Sequence, residues 1–274
     1  MALTYTLAQK QRLHEFGVRE TEIHFDSYER RKVTFQNYIN NMSKLCQKAI
    51  REMVETPSRH ILSSFENDLA SFLTEKGFIE VKTPTIISTA SLKKMGIDEN
   101  HPLYRQVFHL DDKKCMRPML APNLYAVMSH MRKSVKEPLK LFEIGPCYRK
   151  ESKSSEHMSE FTMLNIVILG PEQEPRSRVL DLIQTMMSIV GLDYELTECE
   201  SEVYKTTIDV EVLGHEVASA AIGPHNLDAS HGIDEPWCGV GFGLERLLML
   251  KERKGSVNRV GRNLVYQNGI RIDI

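Results

Sequence analysis

Residues 142–165 read FEIGPCYRKESKSSEHMSEFTMLN, and the alternation of side chains in this stretch decides the fold. Phe142, Ile144 and Tyr148 alternate with Gly145, Cys147 and Arg149, the two-residue period of a pleated strand. After a long polar loop the chain returns with Phe161, Met163, Asn165 and Val167 on one face and Thr162, Leu164, Ile166 and Ile168 on the other. Both faces of the returning strand are largely apolar, which sets the hairpin deep in a sheet, where Asn165 needs hydrogen-bond partners. Two readings stay open at this point. One is a buried hairpin with a satisfied amide; the other is a site for a charged ligand, lined by Arg149, Glu151, His157, Phe161 and Asn165.

On the N-terminal side, residues 5–55 carry helical periodicity. A short segment ends near Gly17, and a longer one, about 22–55, has Ile39, Met42, Leu45, Ala49 and Met53 at three- and four-residue steps. Pro57 ends it, because the residue before a proline is pushed out of the helical region. The next helix, 59–76, starts from Ser58 as N-cap, carries Ile61, Phe65, Leu69 and Phe72 as its stripe, and closes at Gly77. A boundary near Thr56 divides a helical extension, 1–56, from a main domain, 57–274. FIEVKTP then forms a short strand stopped by Pro84, a small helix spans about 89–95, and short strands at 106–110 and 113–117 join through Asp111-Asp112. A helix from Ala121 sets Ala121, Leu124, Tyr125 and Met128 on one face. Such a stripe ordinarily packs a core; a small alanine beside tyrosine and methionine equally suits the wall of a deep pocket.

Beyond the hairpin, 174–190 reads as a helix ended by Gly191, and 194–197 and 207–212 as strands. A turn at Gly214 leads into EVASAAIGP, 216–224, a strand so poor in large side chains that a packed element or a bound ligand must occupy the space above it. Glu216 and Ser219 interrupt its apolar run. Strict alternation puts them on opposite faces, so joint action requires a bend or bulge. In GVGFGLERLLML, 239–250, three glycines at alternate positions run into a helix carrying Glu245 and Arg246. It lacks the Gly-Lys-Ser/Thr of a P-loop, and no βαβ unit supports a dinucleotide fold. Alone it reads as close helix–sheet packing. Joined to a sheet bearing Arg149, it points to two guanidinium groups converging on one polyanion, which their permanent charge and planar fork suit.

Composition adds bounds. At 274 residues, with 41% hydrophobic and 26% charged residues, the chain can bury a sizeable core in the manner of a soluble globular protein. The start MALTYTLAQKQRLHEF has no apolar signal region, and no run approaches the ~20 apolar residues that cross a bilayer. Five cysteines (46, 115, 147, 199 and 238) lie far apart with no CxxC pair, which favours reduced thiols in a cytoplasmic protein over a cysteine-built zinc site. The net charge of -2 announces no nucleic acid, although the tail carries Lys251, Arg253, Lys254, Arg259, Arg262 and Arg271 against Glu252 and Asp273.

Taken in order, a strand ending in proline, an arginine-bearing hairpin and a glycine-rich helix with arginine resemble motifs 1, 2 and 3 of the class II aminoacyl-tRNA synthetases. RPMLAPNLY, FEIGPCYRKES, EFTMLN, VYKTTIDVEV, SAAIGP and GFGLERLL together resemble the pyrrolysyl family of that class, over roughly residues 57–253. The resemblance implies an α+β fold: the class II catalytic core, an antiparallel sheet flanked by helices, behind the N-terminal helical extension. It implies activation of pyrrolysine with ATP and Mg²⁺ through an aminoacyl-adenylate, then transfer to the 3′ end of the amber-decoding tRNA(Pyl). A cytoplasmic homodimer with residues 78–84 near its interface is also implied. Many members carry a separate N-terminal tRNA-binding domain; the helical lead-in here is too short for one, so the expectation is the short form.

Residue by residue, the resemblance implies a catalytic pair, Arg149 on the α-phosphate of ATP and Arg246 on its distal phosphate and nucleotide face. Phe161 is expected to stack on adenine, Glu151 and His157 to complete the nucleotide site, and Glu216 and Ser219 to hold Mg²⁺. Ala121, Leu124, Tyr125, Met128, Val167, Ala221, Trp237 and Gly239 are expected to wall the amino-acid pocket. Asn165 is expected to bond the substrate's side-chain amide carbonyl, and Tyr204 to lie in a segment that closes over it. Cys147 and Cys238 have no role in this scheme beyond small buried residues. Basic positions in the N-terminal helices and tail are candidates for the tRNA backbone, and loop 152–156 for its acceptor end. Two rivals remain. A phenylalanyl-like class II enzyme is disfavoured by Asn165 and by the room at Ala121; a non-charging paralogue acting as a binding module is disfavoured by the joint presence of Arg149, Glu216 and Arg246.

Overall fold

The computed structural model describes residues 3–18, 21–151, 154–201 and 203–274. Helix α1 (Leu7–Glu15) opens on a Thr6–Gln9 capping box, and α2 (Tyr28–Glu55) on the side chain of Ser27. The expected start of α2 near residue 22 is too early, because Phe25 pairs with Leu3 in an antiparallel bridge before Ser27 caps the helix. α3 (Ile61–Glu75) is capped by His60 rather than Ser58, the imidazole accepting the Leu62 N–H. β1 (Ile79–Glu80), β2 (Ile86–Ser88), α4 (Thr89–Lys94), α5 (Pro102–Gln106) and β3 (Lys114–Met116) follow. The strand expected at 106–110 shrinks to a single bridge between His109 and Cys115, because Pro102 starts α5 just before it and β3 takes β2 as its partner. α6 (Ala121–Arg132) leads into the central hairpin, β4 (Leu139–Tyr148) and β5 (Glu160–Leu169). Then come α7 (Pro175–Val190), β6 (Glu195–Ser201), β7 (Lys205–Val212), β8 (His215–Gly223), the one-turn α8 (Asp228–His231), β9 (Trp237–Gly243) and α9 (Leu244–Lys251).

The main sheet runs β1-β4-β5-β9-β8-β7-β6. Every neighbouring pair is antiparallel except β1–β4, so the sheet is mixed, not antiparallel throughout. A parallel neighbour needs a crossover, and α4 to α6 supply it. Leu164, Ile166, Ala218, Ala220, Val240 and Phe242 turn to one face and pack beneath α3, α7 and α9 in the larger hydrophobic cluster. Alternate residues turn to the opposite face, where Val167, Ala221 and Trp237 join Tyr125 and Met128 of α6 in a second cluster. The two clusters explain the small residues of β8: Ala218 and Ala220 admit helix packing on one side, while Ser219 and Ala221 leave the other side open.

Beneath the hairpin, Arg117 and Glu143 form an ion pair at 2.8 Å, both about 1% exposed. Arg117 also donates to the carbonyl of Pro146, and Glu143 accepts from the backbone and hydroxyl of Thr83. The pair ties the segment that leaves β1 to the first strand of the hairpin. α2 buries none of its residues fully; Ile39, Met42, Ala49 and Met53 are half-buried and Leu45 is exposed. No helix among the described residues is long and apolar enough to cross a membrane.

Candidate active site

A cleft of about 670 Å³ opens on the sheet face opposite α3, α7 and α9. Its floor is laid in rungs by the strand register. Val167, Gly239 and Ala221 form one rung, and Asn165, Gly241 and Ser219 the next. Met163 and Gly243 follow. Glycine in β9 strips the middle of each rung of side chain, and a Cβ built on Gly243 would meet nothing within 4 Å. Every residue expected at a nucleotide, metal or amino-acid site lines this one cleft: Arg149, Glu151, His157, Phe161, Glu216, Ser219 and Arg246, together with Ala121, Leu124, Tyr125, Met128, Asn165, Val167, Tyr204, Ala221, Trp237 and Gly239.

At the charged end, Arg149 Nε donates to the Pro118 carbonyl at 2.9 Å, and its guanidinium lies 5.3 Å from the Phe161 ring centroid. Arg246 donates to the Glu216 carbonyl and lies 3.4 Å from His157 Nε2, while its Nε is buried without a partner among the described residues. Neither arginine is in an ion pair with a carboxylate among the described residues. Burial lowers the pKa of Arg149, with a smaller lowering by Arg246, against the raising effect of Cys147, Glu151 and Glu216. Two guanidinium groups free of direct carboxylate pairs in a cleft form a receptor for an anion.

The bulge that joint action of Glu216 and Ser219 requires is present. β7–β8 pairing steps from Val210↔Ala218 to Glu211↔Glu216, leaving Val217 as the extra residue. Both side chains then turn into the cleft. Partial burial, and next the Asp209 carboxylate, raise the pKa of Glu216. Asp209 accepts the Ser219 hydroxyl at 2.6 Å and the Thr207 hydroxyl at 3.1 Å. Sequence reading missed Asp209, since its alignment with Ser219 comes from cross-strand register and not from any pattern within one strand. The donors are all oxygens, which fits Mg²⁺. Among the described residues no three His, Cys, Asp or Glu side chains form a complete metal cage, so such an ion would draw its remaining ligands from phosphate and water.

At the apolar end, the Asn165 carboxamide oxygen is buried with no hydrogen-bond partner among the described residues. Tyr125 donates to Asp228 at 2.7 Å, and Trp237 Nε1 donates to the same carboxylate at 2.8 Å. Tyr204 meets Trp237 edge-on at 5.9 Å between centroids. Burial raises the pKa of Tyr125 and Tyr204 alike. Asp228 was also missed; a single acid in a one-turn helix carries no sequence signal. Burial pushes the Cys147 and Cys238 thiols up to about 12, as expected for inert core residues. Ser152 and Lys153 of the 152–156 loop lie outside the described residues, while Ser154 Oγ sits 2.9 Å from His157 Nδ1.

A family model for the tRNA synthetases class II core domain (F) matches residues 46–266. A crystal structure of pyrrolysyl-tRNA synthetase from Desulfitobacterium hafniense superposes with a TM-score of 0.92 at 41% identity, covering 100% of both chains. A second structure of a pyrrolysyl-tRNA synthetase from that organism gives 0.90 at 40% identity, covering 100% of this chain and 96% of that one. The O-phosphoserine–tRNA(Cys) ligase of Methanococcus vannielii is 23% identical over 181 residues, 62% of this chain and 33% of the ligase. The chain thus spans about a third of the length of the curated relatives it matches.

Proposed function

The chain belongs to the class II aminoacyl-tRNA synthetases, and within them to the pyrrolysyl-tRNA synthetase family, and from that premise we propose that it activates pyrrolysine with ATP and transfers it to the 3′ end of tRNA(Pyl). The observation that carries the reading is the buried Asn165 oxygen, without a partner among the described residues, in a cleft it shares with an apolar wall and two arginines. A secondary amide on a long lysine stem offers one N–H and one C=O, the complement of a carboxamide. The stem and ring would fill the space among Ala121, Leu124, Tyr125, Met128, Val167 and Trp237. A phenyl ring would leave Asn165 unsatisfied, which disfavours the phenylalanyl alternative.

In this reading the amino-acid carboxylate attacks the α-phosphorus of ATP and the bond to pyrophosphate breaks. The protein aligns the reactants and neutralises charge. Arg149 holds the α-phosphate against Phe161, whose ring stacks on adenine, and Arg246 holds the distal phosphate. Glu151 and His157 close the nucleotide site. Glu216 and Ser219 would hold Mg²⁺, which when bound supplies neutralisation of phosphate charge. The terminal ribose hydroxyl of the tRNA then attacks the acyl carbon of the aminoacyl-adenylate, forming the ester as the mixed anhydride breaks and AMP leaves. Residues 57–274 form the catalytic domain in this proposal, and residues 1–56 contact tRNA, with basic positions of the N-terminal helices and the tail as the candidates for its backbone. The working unit would be a cytoplasmic homodimer with residues 78–84 near its interface.

The test is acylation of tRNA(Pyl) with pyrrolysine, with lysine and phenylalanine as controls. Charging with pyrrolysine alone supports the reading; efficient charging with either control overturns it. ATP binding without charging would favour the binding-module alternative.

A further inference from the structure

Asp228 stands behind the cleft, outside its lining, yet two of the cleft's aromatic walls hang on it. It is 2% exposed, and among the described residues it is in no ion pair. One oxygen accepts the Tyr125 hydroxyl at 2.7 Å. The other accepts Trp237 Nε1 at 2.8 Å and the backbone N–H of His225. An indole N–H can only donate, and buried it requires an acceptor. Trp237 is also hemmed in from β8, where a Cβ on Gly223 would fall 1.9 Å from Nε1. Tyr125 is held between His231, stacked at 4.3 Å, and the Trp237 edge at 5.8 Å; Trp237 in turn meets Tyr204 from the β6–β7 turn.

Three donors on two oxygens call for a group that accepts only, which a carboxylate is and a carboxamide is not. An amide here would turn its NH₂ towards the Tyr125 hydroxyl, reverse that bond and free the phenolic proton.

We propose that Asp228 sets the shape and depth of the amino-acid pocket: it is a positioning residue for substrate selection, acting by orienting Tyr125 and Trp237. The proposal rests on the amino-acid pocket assigned under the proposed function. It predicts that Asp228 governs which acyl-lysine fits and leaves the nucleotide end untouched.

Trp237 is the chain's single tryptophan, so its fluorescence reports this wall directly. Amino-acid-dependent pyrophosphate exchange is measured for wild type, Asp228→Asn and Tyr125→Phe with pyrrolysine and with the smaller Nε-acetyl-lysine, alongside acrylamide quenching of Trp237. In Asp228→Asn the ratio of kcat/KM for the two substrates shifts by about tenfold, quenching rises, and KM for ATP stays within about twofold. Equal loss at both substrates and ATP, or an unchanged ratio with unchanged quenching in a folded variant, overturns the proposal. Should Asp228→Asn fail to fold by circular dichroism, Tyr125→Phe decides alone: an unchanged ratio overturns it. A wild type inactive on both substrates overturns the substrate reading instead. The quenching comparison then decides the positioning role by itself, and unchanged quenching sinks it.

Discussion

Ser219 donates its hydroxyl proton to Asp209 across 2.6 Å, from β8 to β7, and its lone pairs are thereby left facing the cleft beside Glu216. A hydroxyl fixed as a donor on one side is fixed as an acceptor on the other. Groups that orient a metal ligand typically matter by 10–100-fold in affinity. Asp209→Ala is therefore expected to raise the Mg²⁺ concentration for half-maximal pyrophosphate exchange by roughly 10–100-fold. It should weaken Mn²⁺ binding, read by electron paramagnetic resonance with a non-hydrolysable ATP analogue, to a similar degree. Asp209→Asn, whose oxygen can still accept, should fall between. Wild-type Mn²⁺ affinity in the alanine variant would refute the orienting role.

Arg149 is in no carboxylate ion pair among the described residues, although Glu151 and Glu216 act on it from further off, and its side chain makes one hydrogen bond to the body, to the Pro118 carbonyl. Its charge is thus available to a ligand, and its loss takes a donor only from the Pro118 carbonyl. Arg149→Ala should lower amino-acid-dependent pyrophosphate exchange by at least about 10²–10³-fold, the scale for removing one donor to developing charge, while the folded circular dichroism spectrum persists. Near-normal exchange would remove Arg149 from the α-phosphate.

Much of this was readable from one strand at a time. The Phe142–Asn165 alternation located the hairpin, and Gly77, Gly191 and Gly214 marked turns by the positive φ they adopt. What one strand cannot reveal is its neighbour's register. Asp209 beside Ser219 and Asp228 behind Tyr125 are non-local pairings, so both stayed invisible, as did the parallel step at β1–β4. The need for a bulge between Glu216 and Ser219 was legible, because two polar residues three apart cannot share a face of a regular strand. Which residue bulged was not. His60 displaced Ser58 as cap for a local reason: its imidazole, two residues further on, reaches the Leu62 N–H.

Free lysine should be a poor substrate. Its ammonium would enter an apolar wall behind which Asp228 is 2% exposed and already committed to Tyr125, Trp237 and His225. A buried ammonium without a partner is expensive, whereas an acylated amine is neutral and can meet Asn165. Asn165→Ala should raise KM for acyl-lysines by roughly 3–10-fold, the scale of a neutral hydrogen bond, without rescuing lysine. Lysine charged as well as its acylated forms would contradict the pocket assignment.

Glu143→Ala would leave Arg117 charged, buried and without its carboxylate, since the two are about 1% exposed and 2.8 Å apart. Breaking such a pair from one side costs about 3–5 kcal/mol, whereas replacing both partners with apolar groups of similar size is often neutral. Urea unfolding should show this asymmetry, with Glu143→Ala strongly destabilised and Arg117→Met/Glu143→Leu recovering most of the loss. A double variant as unstable as the single would mean that the links of Arg117 to Pro146 and Thr83, rather than the charge pair, hold the hairpin to the segment after β1.

Glu245 ties α9 to β5: its carboxyl accepts the Thr162 N–H at 2.8 Å and the Thr162 hydroxyl at 3.0 Å. Burial pushes its pKa up from 4.5 to about 7, against the lowering by Thr162 and Arg262. An acid whose pKa is higher in the folded state binds its proton more tightly there, so its contribution to stability is complete below pH 4.5 and declines as pH rises to about 7. The decline is on the order of 3 kcal/mol. Glu245→Gln cannot ionise and should be free of it. Unfolding free energies of the two proteins, measured between pH 4 and 8, should therefore differ in slope. Wild type should lose ground to the variant across pH 4.5–7, and the gap should level off above that. A gap that stays constant over the whole range would mean that Thr162 and Arg262 offset the burial of Glu245 in full and leave its pKa where it stands in the unfolded chain, and a gap that widens in the opposite direction would mean that they outweigh it.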